Sequence, residues 1–196
     1  MNTNRNLFFM SLPIFVELLL QLLVGNIDQM MVSRVSQQSV ASIVNANQIM
    51  NLVIIVLSMA STAATVILSQ YLGAEDKANS SRTCMVSILM ITVVSLLSTL
   101  LVFAGYKPLY KALRVPEEIF DEASLYLLIV GACITVQGLY LIFSAIIRAF
   151  AMMKEVMIVS IVMNVMNIIG NAILINGWFG MPRLGAVGAA VSTDIS

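Results

Sequence analysis

Four long stretches of this chain carry no charged residue: 35–74, 83–106, 123–147 and 156–182. A fifth, 6–33, carries only Glu17 and Asp28, and another apolar run opens at Leu184. About 20 consecutive apolar residues, each rising 1.5 Å, cross the hydrocarbon core of a bilayer, so five of these runs are long enough to span as helices. The runs are continuous, whereas a transmembrane barrel reads as segments of about ten residues that alternate apolar and polar. Lipid offers the backbone no hydrogen bonds, and helices are the remaining way to satisfy it. The predicted fold is therefore all-α: a polytopic transmembrane helix bundle with five complete spans and the start of a sixth. The spans are expected at about 7–32, 42–71, 84–106, 121–147 and 154–176, with the sixth opening near 184.

Composition agrees, since 60% of the residues are hydrophobic and only 10% charged, far below the charged share of a soluble domain. The first span is too long for a cleaved signal peptide and carries an internal acid. Orientation is not encoded by charge. Arg5, Lys77, Arg82, Arg148 and Lys154 fall on one side and Arg34, Lys107, Lys111, Arg114 and Arg183 on the other, five against five. A formal net charge of zero argues against nucleic acid as a partner. Cys84 and Cys133 both sit inside apolar runs, where cysteine behaves as a small hydrophobe, so no disulfide framework is implied.

The connections are short. Residues 72–82 join the second and third spans, with Gly73 suited to a helix C-terminal cap. The link 105–120 holds Pro108 and Pro116, and Val115-Pro116-Glu117-Glu118 places a proline and two acids at a helix start. Gly177, Gly180 and Pro182 mark the last turn.

Ionisable groups inside lipid call for an interior partner or a function. Glu17 and Asp28 lie eleven residues apart, roughly 20° apart in azimuth and about 16 Å along a helix, so they share a face. Gln21 sits close to the same stripe, and leucines at 18, 19, 22 and 23 cover much of the remaining circumference. Two readings are open for Asp28: an acid at a helix end that snorkels to the interface, or an acid facing a cavity that exchanges a proton or holds a cation. In the fifth span Asn164, Asn167 and Asn171 form a neutral stripe, either structural or ligand-binding. Asn45, Asn47, Gln48 and Asn51 add polarity to the second, and fourteen methionines are available to line a pocket of adaptable shape. The sequence contains no histidine and no Walker A or strand-linked glycine fingerprint, so neither His-based catalysis nor ATP hydrolysis is expected, and no enzyme activity or cofactor is implied.

The order of motifs resembles the amino-terminal half of a multidrug and toxic compound extrusion (MATE) transporter. Leu12-Pro13-Ile14, followed by Val24-Gly25-Asn26-Ile27-Asp28, resembles that family's opening proline and the aspartate near the end of its first helix. Gln70-Tyr71-Leu72-Gly73-Ala74 is similar to its Gln-x-x-Gly-Ala loop, Val115-Pro116-Glu117-Glu118-Ile119 to its entry into the fourth span, and Arg148-Ala149-Phe150 to the arginine that ends it. Asn167-Ile168-Ile169-Gly170-Asn171 and Leu184-Gly185-Ala186-Val187-Gly188-Ala189-Ala190-Val191-Ser192-Thr193 resemble the fifth span and the opening of the sixth. The usual glycine-bearing turn after the arginine is replaced here by Ala151-Met152-Met153-Lys154.

The resemblance implies a multi-pass protein of the cell membrane, one lobe of two around a central cavity. It implies export of amphiphilic or cationic small molecules against a proton or Na+ gradient. It nominates Asp28, Asn167, Asn171 and Thr193 for ion or proton coupling, with Na+ at Asp28 as one option, and leaves Glu17, Gln21 and Gln48 as cavity-lining polar residues. Some members carry an aspartate where Asn171 stands. The partner expected besides the small-molecule substrate and the lipid bilayer is a carboxy-terminal lobe, since the sequence stops about ten residues into the sixth span. A flippase of lipid-linked precursors or polysaccharides from the same superfamily, and a non-transporting membrane scaffold, are the alternative readings.

Overall fold

The computed structural model describes residues 3–33, 37–113, 115–176 and 184–196; the side chains of residues 3–10, Asp28, Gln29, Val32, residues 37–39 and Asn176 lie outside that description. Among the described residues seven helices follow in order: α1 (Thr3–Ser33), α2 (Gln37–Gly73), α3 (Lys77–Ala112), α4 (Glu117–Ala132), α5 (Ile134–Ala149), α6 (Met153–Asn176) and α7 (Gly185–Ile195). No strand occurs among the described residues. Val40–Gly73, Lys77–Ala112 and Met153–Ile175 are long and apolar enough to cross a membrane, and α4 with α5 makes a fourth crossing if the pair is one span. The apolar stretch described within α1 is Ser11–Ile27.

Helix α2 is central, packing against α3, α4 and α5, while α1 lies chiefly on α6, and α7 packs on α6 and α4. Side-chain hydroxyls pin α2 to its neighbours: Ser42 Oγ donates to Glu122 Oε2 at 3.2 Å and Thr65 Oγ1 to the Ala145 carbonyl at 3.2 Å. The core between them is aliphatic, with Leu57, Ile91, Leu127, Ile134 and Ile142 all but sealed. On the opposite face of α3, Met85, Leu89 and Leu100 are each about two-thirds exposed, an apolar surface that only lipid or protein can cover.

The single fourth span expected at 121–147 is broken. Helices α4 and α5 meet at Cys133 with a bend of 46°. There the Cys133 amide bonds to the carbonyl of Val130 at 3.2 Å, an i−3 contact that interrupts the α-helical ladder. Glycines on either side let α3 approach both halves: a methyl at Gly131 would stand 3.0 Å from Val102 Cγ1, and one at Gly138 would stand 3.0 Å from Ser95 Cβ.

The third helix also runs past its expected end at 106, through Pro108 to Ala112, so the connection to α4 is short. Tyr110 explains this extension. It is fully buried, donates its hydroxyl to the Ala123 carbonyl at 2.8 Å and meets the Phe120 ring edge-on at 5.7 Å. Pro116 immediately precedes α4, and Glu117 and Glu118 occupy its first turn. At the other end of α3, Asp76 caps the helix: Oδ1 accepts from the Asn79 amide at 3.0 Å and Oδ2 from Asn79 Nδ2 at 2.7 Å. These donors hold its carboxyl below the usual carboxylate range. Gly73 closes α2, but the left-handed residue of this turn is Glu75, at φ 57°. The turn at Gly177, Gly180 and Pro182 lies outside the described residues.

Ala151, between α5 and α6, has φ 61°. That conformation crowds a Cβ and suits glycine, so this alanine stands where the resembling family's turn carries its glycine. Ala151→Gly is expected to raise stability by about 1 kcal/mol, read as a later midpoint in denaturant titration followed by circular dichroism. An earlier midpoint would show that the strain is not released.

Candidate functional site

Helices α6 and α7 form a tight antiparallel pair, which carries Asn164, Asn167, Asn171 and Thr193 of the polar residues singled out in the sequence. The contact is close because glycines sit on both sides of it. A methyl at Gly188 would lie 2.8 Å from the Leu174 carbonyl oxygen, and one at Gly170 would collide with Ser192 Oγ. Gly185 opens α7 with φ 53°, and the Leu184 amide returns to the Leu174 carbonyl at 3.1 Å.

The spacing of three and four along α6 sets its asparagines on one stripe, and the close crossing lets α7 reach it. Asn171 Nδ2 donates to Asn167 Oδ1 at 3.0 Å, and Asn167 Nδ2 lies 3.5 Å from Thr193 Oγ1 and 3.4 Å from Ser196 Oγ. Ser192 Oγ donates to the Asn167 carbonyl at 3.0 Å, and Thr193 Oγ1 to the Ala189 carbonyl at 2.9 Å. Asn164 Nδ2 approaches Ser160 Oγ at 3.4 Å. Asn167, Asn171 and Ser192 are buried, so their contacts lie in a low-dielectric interior where each counts for more than in water, while Thr193 stands at the exposed end of the network. Three of the four nominated coupling residues, Asn167, Asn171 and Thr193, are thus brought together. The fourth, Asp28, belongs to α1, which packs on α6, and its side chain lies outside the described ones.

Beside this network is a cavity of about 450 Å³, enclosed by α2, the α4–α5 break, α6 and α7. Asn47, Asn51, Tyr126, Cys133, Gln137 and Thr193 give it polar walls, and Met50, Ile54 and Met163 apolar ones. Tyr126 donates its hydroxyl toward Asn47 Oδ1 at 3.4 Å. The volume is that of a small-molecule site, and irregular backbone at membrane depth is tolerated where it lines a cavity.

Glu17, Gln21 and Gln48, expected as cavity-lining, stand apart from this cavity. Glu17 is buried and ion-paired: Arg148, at the end of α5, donates from Nη2 to Glu17 Oε1 at 2.7 Å. Its charge is compensated within the bundle by that pairing. Gln48 is exposed because it is rotated by one residue from the stripe formed by Asn47, Asn51 and Ile54, and it does not line this cavity. Gln21 is exposed on α1 and does not line it either. The sequence reading misses Asp194, a partly buried acid on the cavity wall. Its signal was an acid following directly on a ten-residue apolar run in a span.

The chain is similar to known proteins in sequence and in fold. An uncharacterized transporter of Bacillus subtilis, YisQ, is 38% identical over 191 residues, covering 97% of this chain and 42% of its own length. A probable multidrug resistance protein NorM of Chromobacterium violaceum is 28% identical over 193 residues, 97% of this chain and 41% of the relative. Among solved structures, MATE in the straight conformation superposes with a TM-score of 0.89 at 18% identity, over 96% of this chain and 41% of that one. A MOP superfamily transporter from Pyrococcus furiosus gives 0.88 at 18% identity, over 95% and 40%. The chain therefore spans about two-fifths of the length of the curated relatives it matches. The MatE family model matches residues 13–173, and on that match, with the helical fold already described, the chain belongs to the MatE family of membrane proteins.

Proposed function

We propose that the chain forms one lobe of a secondary active antiporter of the cell membrane. It would export hydrophobic or cationic small molecules, drugs and toxins among them, against a proton or Na+ gradient. The observation that carries this reading is the juxtaposition on α7 of a cavity of about 450 Å³, with polar groups set in apolar walls, and a partly buried amide and hydroxyl network. A substrate site and an ion site that share one helix can be coupled by its movement, as alternating access requires. The multidrug-resistance names of several relatives support the same substrate class. In this reading Asp28, Asn167, Asn171 and Thr193 hold the coupling ion, and a carboxy-terminal lobe completes the pathway.

The test is export of ethidium from membrane vesicles containing the complete two-lobe transporter, with imposed Na+ and proton gradients compared. Asp28→Asn is expected to slow gradient-driven export by about tenfold or more while leaving the protein in the membrane at normal levels. Undiminished export by Asp28→Asn sinks the coupling role of that residue. Export that responds to neither gradient sinks the antiport reading.

A further inference from the structure

Asp194 is the one charged residue among the described residues that line the cavity, and neither the Glu17–Arg148 pair nor the asparagine network described above uses it. It sits near the end of α7, partly buried, next to Thr193. Cys133, at the break between α4 and α5, lines the same cavity.

The surroundings say what a ligand there should bring. Among the described residues no lysine or arginine lines the cavity. A carboxylate in a largely apolar wall is unfavourable until a positive charge joins it, so a ligand carrying that charge gains what the wall lacks. At about 450 Å³ the cavity is wide for a bare inorganic cation, and its wall sets tyrosine, methionine and isoleucine beside Asn47, Asn51 and Gln137. An organic cation suits both the size and the lining. Tyr126 and Tyr140 supply aromatic surface that attracts cations, and Met50 and Ile54 accept an apolar body.

We propose that Asp194 is the charge-selecting residue of this cavity, its carboxylate taking the onium head of an organic cation whose apolar body rests against Tyr126, Tyr140 and Met50. The assignment rests on the cavity being the substrate site of the proposed exporter, and it names the residue that separates cationic from neutral substrates.

Binding to the 196-residue chain in lipid nanodiscs, measured by equilibrium dialysis, tests it with two probes of one shape. Phenyltrimethylammonium is charged and tert-butylbenzene is not. The wild-type chain is expected to prefer the cation by about tenfold or more. Asp194→Asn should lose that preference while holding tert-butylbenzene as before, which shows the cavity to be intact, and Asp194→Glu should keep it. A preference that survives Asp194→Asn overturns the proposal. Equal wild-type binding of the two probes overturns the role of Asp194 and leaves the cavity a small-molecule site. Binding of neither probe overturns both this assignment and the cavity's role as the substrate site.

Discussion

Arg148→Ala is expected to destabilise the protein by about 3 kcal/mol, because it leaves the Glu17 carboxylate inside the bundle with no countercharge. The loss should be unequal between the partners. The Glu17 side chain is 5% exposed and that of Arg148 35%, so an orphaned arginine can turn toward water or headgroups, whereas an orphaned Glu17 cannot. Glu17→Gln should therefore lose only about 1 kcal/mol. Replacing both by leucine and methionine should restore much of the stability, since an apolar pair meets no desolvation penalty. Unfolding in mixed micelles, arranged as a double-mutant cycle, reads the coupling directly. Equal effects of the two single substitutions would mean that the ion pair is not set into the bundle as described.

Gly188→Ala is expected to lose about 2–3 kcal/mol and to open the α6–α7 contact. The added methyl would lie 2.8 Å from the Leu174 carbonyl oxygen and 2.9 Å from its carbon. Those are backbone atoms of a helix and cannot swing aside as a side chain would, so α7 itself must shift. The 3.5 Å approach of Asn167 to Thr193 is already at the limit of a hydrogen bond, and a shift of a few tenths of an ångström removes it. Gly25→Ala is the control, because nothing lies within 4 Å of a methyl there and the change should be neutral or slightly stabilising. The same unfolding measurement compares them. A Gly188→Ala protein as stable as Gly25→Ala would contradict the close crossing.

Much of this architecture is legible in the sequence because lipid imposes a simple rule on length and polarity. The charge-free runs locate the helices, and Pro116 with Glu117 and Glu118 marks the start of α4 through local chemistry alone. The Asn167–Asn171 stripe is likewise a matter of helical period. What escapes is set by contacts between distant segments. Hydropathy is continuous through 123–147, so the break at Cys133 leaves no trace in it; the bend depends on Val102 and Ser95 of α3 meeting Gly131 and Gly138. Arg148 reads as a cation at the end of a span, yet it reaches Glu17 across 131 positions of sequence. Gln48 and Asn47 are equally polar and adjacent, and only the azimuth of α2 decides that Asn47 meets the cavity. Asp194 escapes because an acid closing an apolar run looks like the end of a span until the neighbouring helices are in place.

The break at Cys133 also bears on how the chain enters the bilayer. Helices α4 and α5 hold 16 residues each, about 24 Å of helix at 1.5 Å per residue, against a hydrocarbon core of about 30 Å. Neither half is a complete crossing on its own. Released singly into lipid, either would leave one helix end, with its unsatisfied amides or carbonyls, at a depth where no water can reach it. The two must therefore be inserted together, and the site at their junction forms only in a chain whose earlier helices already stand beside it.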